Sequence, residues 1–263
     1  MDRTASRRPA SRRPASRFAV RALALAALPV LLVTGCSSSS DSSDDATRDN
    51  EPESVAPTPE PVRFEGLPEP CQTIGQDTIG EVVPQADPES GETLSSSDTS
   101  TSAACLWSGL DDFQFRSLTV ALRRFDSDLS LGSGDERATA YVQQMVDEIT
   151  GDDANRDVES AELAETGDAA TSIAYTVTKT GEEDEDEQDY RQQRVVSRVG
   201  NVVLTLDYSG AGFEGDDMPS ADSVREAAET AAREAVAAVD ASADASGGET
   251  PAEEESQESG DDA

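Results

Sequence analysis

The segment RVVSRVGNVVLTLDY, Arg194 to Tyr208, constrains the fold more than any other part of the chain. Two runs rich in β-branched residues flank Gly200-Asn201. Glycine at the first position of a two-residue turn suits a type II′ hairpin, whose twist matches that of the strands it joins. A lone hairpin is marginal in water, so further strands must pair with it. Alternation elsewhere supplies them. In SLTVALRRF, Ser117 to Phe125, the residues Leu118, Val120 and Leu122 share one face while Thr119 and Arg123 take the other. That is the period of a half-buried strand. AACLW (Ala103 to Trp107) reads as a strand, as does TSIAYTVTK (Thr171 to Lys179), where Ile173, Tyr175 and Val177 share a face.

Three helices are predicted between and after these strands. The first runs from about Ile79 to Val83, with Thr78 as N-cap and Glu81 closing a capping box. The second lies in DERATAYVQQMVDEIT. Tyr141, Val142, Met145, Val146 and Ile149 form its apolar stripe, and Ser133 and Glu136 offer a capping box. The third covers Ser223 to Val239. Its narrow, alanine-rich face is Val224, Ala227, Ala228, Ala231, Ala235 and Val239. Hairpins interleaved with amphipathic helices predict an α+β domain over residues 64–240, an antiparallel sheet with helices packed on one face.

The flanks have a different character. Residues 1–35 begin with an arginine-rich stretch containing SRRPA twice, followed by the apolar run Ala22 to Val33. That run has about 12 residues where a spanning helix needs about 20, so a secretory leader is expected rather than a permanent span. Val33-Thr34-Gly35-Cys36 then resembles the lipobox of bacterial lipoproteins. The resemblance implies cleavage before Cys36, diacylglycerol on its sulfur and a membrane partner reached through that anchor. The alternative is an ordinary leader with an incidental cysteine. The arginine pairs at 7–8 and 12–13 are followed by Pro-Ala-Ser instead of apolar residues, which leaves the export route undecided. Residues 36–63 and 241–263 are poor in apolar side chains and rich in Ser, Pro and acids. Such segments cannot offset ordering entropy by burial, so a disordered tether and a disordered acidic tail are expected.

Charge excludes one class of partner. Without the leader, 13 basic side chains face 54 acidic ones. Phosphate backbones are bound through Lys and Arg, so a nucleic-acid partner is excluded. The chain has no histidine. Ser-His-Asp triads, Cys-His pairs and His-ligated zinc are therefore excluded as well.

With Cys36 assigned to lipid, Cys71 and Cys105 remain. Two cysteines in an exported domain are expected to form one disulfide. PCQTIGQDTIGEVV (Pro70 to Val83), Cys105-Leu106-Trp107, VVSRVGNVVLTL and a closing helix together resemble actinobacterial cell-envelope lipoproteins of unknown function. More distantly, they are similar to extracellular sensor domains of mycobacterial receptor serine/threonine kinases. The resemblance implies a surface lipoprotein with a disulfide and supplies no catalytic residues.

Other motifs lead nowhere specific. Gly210 to Gly215 spells GxGxxG, but it follows the return arm of a hairpin and precedes Asp216-Asp217, so no dinucleotide cofactor is expected. Asp153 to Asp157 opens like a calcium loop, yet Val158 and Ala164 occupy positions that require Gly and Glu. The acidic run Gly181 to Asp189 reads as a solvated loop between strands. Trp107 reads as core. No catalytic, cofactor or metal site is expected, and the chain is read as a binding or sensing module of the envelope. The alternatives are a structural spacer or a carboxylate-dependent envelope hydrolase.

Overall fold

The computed structural model describes residues 57–180 and 187–246. The leader, Cys36, most of the tether, part of the acidic loop and the end of the tail lie outside the described residues. Seven strands form one antiparallel sheet: β1 (Glu92–Leu94), β2 (Ser102–Asp111), β3 (Gln114–Arg124), β4 (Arg156–Glu162), β5 (Ala169–Thr180), β6 (Glu187–Val199) and β7 (Val202–Gly212). Their spatial order is β1-β2-β3-β7-β6-β5-β4. Three α-helices accompany them: α1 (Gln76–Val82), α2 (Gly134–Thr150) and α3 (Ala221–Ser246). The architecture is α+β, as predicted. Among the described residues, no helix is long and apolar enough to cross a membrane.

The β6–β7 hairpin closes at Gly200-Asn201, with Val199 opposite Val202. Gly200 has φ +54°, and Asn201 is not in the positive-φ region, the pattern of a type II′ turn. Asn201 is wholly buried. Its side-chain amide donates to the carbonyls of Phe64 and Phe125, both at 2.9 Å, and its Oδ1 accepts from the Phe64 N–H at 2.9 Å. One turn side chain therefore joins the start of the domain to the end of β3.

The helices occupy both faces of the sheet, a departure from the expected single-face packing. α1 and α3 cover the face carrying Cys105, Trp107, Leu118, Val120, Leu122, Val195, Leu204 and Leu206. α2 covers the other face, where Tyr141, Val142 and Met145 meet Val196 and Val203. Farther along α2, Val146 and Ile149 meet Ile173 and Tyr175. The physical cause lies in the central hairpin. Successive strand residues point to opposite faces, and the neighbours Val195 and Val196 are both fully buried, as are Val202, Val203 and Leu204. Strands apolar on both sides require cover on both sides.

Helix ends follow local chemistry where it is available. The Ser133–Glu136 capping box is present in full. The box expected at Thr78 and Glu81 is absent: α1 starts at Gln76, which puts both residues inside the helix. The Gly75 N–H instead donates to Glu234 Oε1 of α3 at 2.7 Å, a tertiary cap that no local pattern encodes. α3 reaches Ser246, beyond the expected end at Val239, and also buries Ala232 and Val236. Glu187 to Asp189, expected in the acidic loop, belong to β6.

Cys71 and Cys105 form the expected disulfide, with Cα atoms 5.2 Å apart. It ties the segment before α1 to β2, and a loop of this length stabilises by roughly 3–4 kcal/mol in the chain-entropy model. Trp107 is 1% exposed and packs as core. Gly91, at φ +76°, lies so close that a Cβ there would sit 2.5 Å from Cys105 Sγ and 2.6 Å from the indole.

Two outcomes are expected. Asn201→Ala leaves one buried N–H and two carbonyls short of partners and should cost about 2–4 kcal/mol, read as a lower urea midpoint with an unchanged slope. Burial pushes Tyr175 up to about 12, with the Asp207 charge adding to it, and burial likewise pushes Tyr208 up to about 12, from an ordinary value of 10.0. The folded state then holds protons that the unfolded chain releases above pH 10. Stability from these groups is complete below pH 10 and lost as pH rises through 12. Urea midpoints should fall across that window alongside late phenolate absorbance, and Tyr175→Phe with Tyr208→Phe should flatten the fall.

Candidate functional site

The polar half of one sheet face supplies the strongest candidate. Arg156, Thr176 and Arg191 form one cross-strand row over β4, β5 and β6, and Glu159, Ala174 and Gln193 form the next. Strands lie about 4.8 Å apart, so the two arginine Cα atoms are separated by roughly 10 Å. Arg156 and Glu159 are three residues apart, a spacing that ordinarily puts side chains on opposite faces. A bulge at Asp157, with φ +53°, brings both into these rows.

The row meets the start of α3. Gly210 of β7 pairs with Arg191, and a Cβ there would lie 2.7 Å from Pro219 Cγ. The glycine thus lets the segment before α3 descend onto the sheet, setting Met218 and Ala221 beside Arg191. The result is a cleft of about 280 Å³, lined by both arginines, Asp157, Glu159, Thr176, Asp189, Gln193, Met218 and Ala221 among others.

Within the cleft, Arg156, Asp189 and Gln193 are already committed. Arg156 Nη2 reaches Asp189 Oδ1 at 2.6 Å and Thr178 Oγ1 at 2.8 Å, and the Thr178 hydroxyl donates to the same carboxylate oxygen at 2.7 Å. The Thr178 hydroxyl and the Arg156 guanidinium hold the Asp189 carboxyl below its usual range. Gln193 Nε2 donates to Ser172 Oγ at 2.8 Å, which donates to Glu229 Oε1 at 3.0 Å. Gln193 and Ser172 are buried at 2% and 4% exposure, so this chain anchors the cleft floor to α3.

Arg191 is the cation of the cleft without such a partner. Its Nε is buried and has no hydrogen-bond acceptor. Among the described residues it is the one arginine with no hydrogen bond, ion pair or ring contact from its side chain. A guanidinium presents five donors in a fixed plane; here only the Nε is buried, and leaving it unmet away from water is costly.

A groove of about 410 Å³ on the opposite face, between β1–β3, β7 and Tyr141, has a more apolar floor that includes Ala104, Ala121 and Val203. Its arginine, Arg123, is stacked 4.7 Å from the Tyr141 ring centre and 5.4 Å from that of Phe125, so the cation there has ring partners. Gly210 and Gly212, the first glycines of the GxGxxG string, continue strand β7, and the next helix starts only at Ala221. Among the described residues, no group of three or more His, Cys, Asp or Glu is arranged to hold a metal ion.

Of the residues singled out from sequence, Cys71 and Cys105 are brought together, at a distance from this cleft, and Cys36 lies outside the described residues. Arg191, Arg156 and Gln193 went unnoticed. The available signal was polarity in the wrong place: Arg191 and Gln193 share the strand face of Val195 and Val199, which is buried. Comparison with protein-family models, with curated proteins and with solved structures finds no match to the chain.

Proposed function

We propose that the protein is a lipid-anchored extracytoplasmic module of the cell envelope that binds or senses a small ligand in the cleft between α3 and β4–β6. One observation carries the binding half of this reading: Arg191, which lines the cleft, is the one arginine among the described residues whose side chain has no protein partner. Arg124 Nε is also buried without an acceptor, but that guanidinium is tied to Asp126 through Nη1, whereas Arg191 has no acceptor in the protein at all. The anchoring half rests on the leader and on Val33-Thr34-Gly35-Cys36. Two acyl chains or more hold a protein stably at a bilayer where one does so only marginally.

The hydrolase reading draws on Asp157, Glu159 and Asp189, which share the cleft. A glycosidase general acid needs a raised pKa at neutral pH. The Asp189 carboxyl is shifted the other way. Binding is the reading favoured by the chemistry of the site.

Cys36→Ala should move the protein from the membrane fraction to the medium or block its processing, as seen by fractionation and by mass spectrometry of the N-terminal peptide. An unacylated N-terminus in the unmutated protein contradicts the anchor.

A further inference from the structure

We propose that the ligand of this cleft is a small monocarboxylate bearing hydrogen-bond donors on its neighbouring carbons, with Arg191 as the carboxylate-binding residue. The inference rests on the binding reading above and names the ligand class for the same site.

The argument begins with what Arg191 lacks. Its buried Nε has no acceptor, although acids outnumber bases in this chain by 55 to 20. The nearest acidic strand residue of β6, Asp189, is already engaged by Arg156 and Thr178. The Nε is closed to solvent, so the donors a ligand can reach are the two Nη groups, and the acceptor that suits their planar fork is a pair of oxygens, which a carboxylate presents.

The surroundings narrow the class. Asp157 and Glu159 also line the cleft, and both are exposed at its edge. Their charges oppose a second negative charge on the ligand, which disfavours a phosphate dianion. The same carboxylates accept hydrogen bonds, so hydroxyl or ammonium groups beside the ligand's carboxylate find partners there. The cleft volume of about 280 Å³ limits the ligand to a small molecule. Met218 and Ala221 add an apolar wall on the side of α3.

The test uses the mature chain from residue 36 with Cys36→Ala, so that acylation plays no part. Arginine Nε–H signals are followed by NMR while sodium D-glucuronate, D-glucose, sodium acetate and inorganic phosphate are each titrated in. Glucuronate is expected to shift the Arg191 Nε–H signal at low millimolar concentration. Acetate should do so more weakly, and glucose and phosphate not at all. Arg191→Gln should weaken glucuronate binding by about tenfold or more, the loss expected for one charge-assisted bidentate contact. The same substitution should raise Tm by about 2–4 °C, since it removes a buried unmet donor. An arginine retained for structure would lower Tm on removal. Phosphate binding as tight as glucuronate, or glucose binding that survives Arg191→Gln, overturns the carboxylate assignment while leaving a binding site in place. No shift at Arg191 with any of the four probes overturns the site itself. Neither result bears on the acylation of Cys36, which fractionation reads separately.

Discussion

The buried amide of Asn201 holds together three parts of the chain that are distant in sequence. It accepts from and donates to the backbone of Phe64, and it donates to Phe125 at the end of β3. The Phe125 N–H in turn donates to the Asn201 carbonyl at 2.9 Å. The turn that carries it joins β6 and β7, the strands against which both helical layers pack. Pairing of β3 with β7 spans a long stretch of sequence, and such pairing sets in only after the cost of closing the loop is met. A turn that fixes the β6–β7 register while holding the end of β3 reduces that burden. The disulfide acts at another corner, between the segment before α1 and β2. The two restraints share no residue, so the sheet is secured at separate places.

What was legible in the sequence was what local chemistry decides. Gly200-Asn201 announces a turn because few residues other than glycine reach φ +54° without strain. The α2 cap is readable because its two partners are three residues apart. The α1 start was not, since its capping carboxylate belongs to Glu234, 159 residues later. β1 and β4 escaped notice for a related reason. They are edge strands whose side chains are mostly exposed, so no alternation records their pairing. The two-sided cover of the sheet was in fact written in the adjacent valines at 195–196 and 202–203, a pattern that alternation arguments discard as noise.

The candidate site shows the opposite relation between sequence and energetics. Core positions are recognisable because their residue types lower the free energy of the fold. Arg191 opposes that tendency, standing on the face that buries Val195 and Leu206. Gln193 beside it is tolerated because Ser172 and Glu229 complete its hydrogen bonding. No comparable set serves Arg191. Places where local rules fail without compensation are where function is to be sought, and this failure becomes visible only when the register brings β4, β5 and β6 side by side.

The geometry of β6 adds a further constraint on how such a site can work from a tether. Phe64, where the expected tether ends, is held at the Gly200-Asn201 turn. Arg191 lies nine residues earlier on the same strand, and at about 3.3 Å per residue this sets it roughly 30 Å from that turn. The chain therefore enters the domain at one end of β6 while the cleft lies at the other. Under the proposed anchoring at Cys36, attachment and ligand binding use opposite ends of β6. Neither needs to distort the other, because the strand between them is buried on both faces. A domain built this way can be held by lipid at one end and keep Arg191 in its cleft at the other.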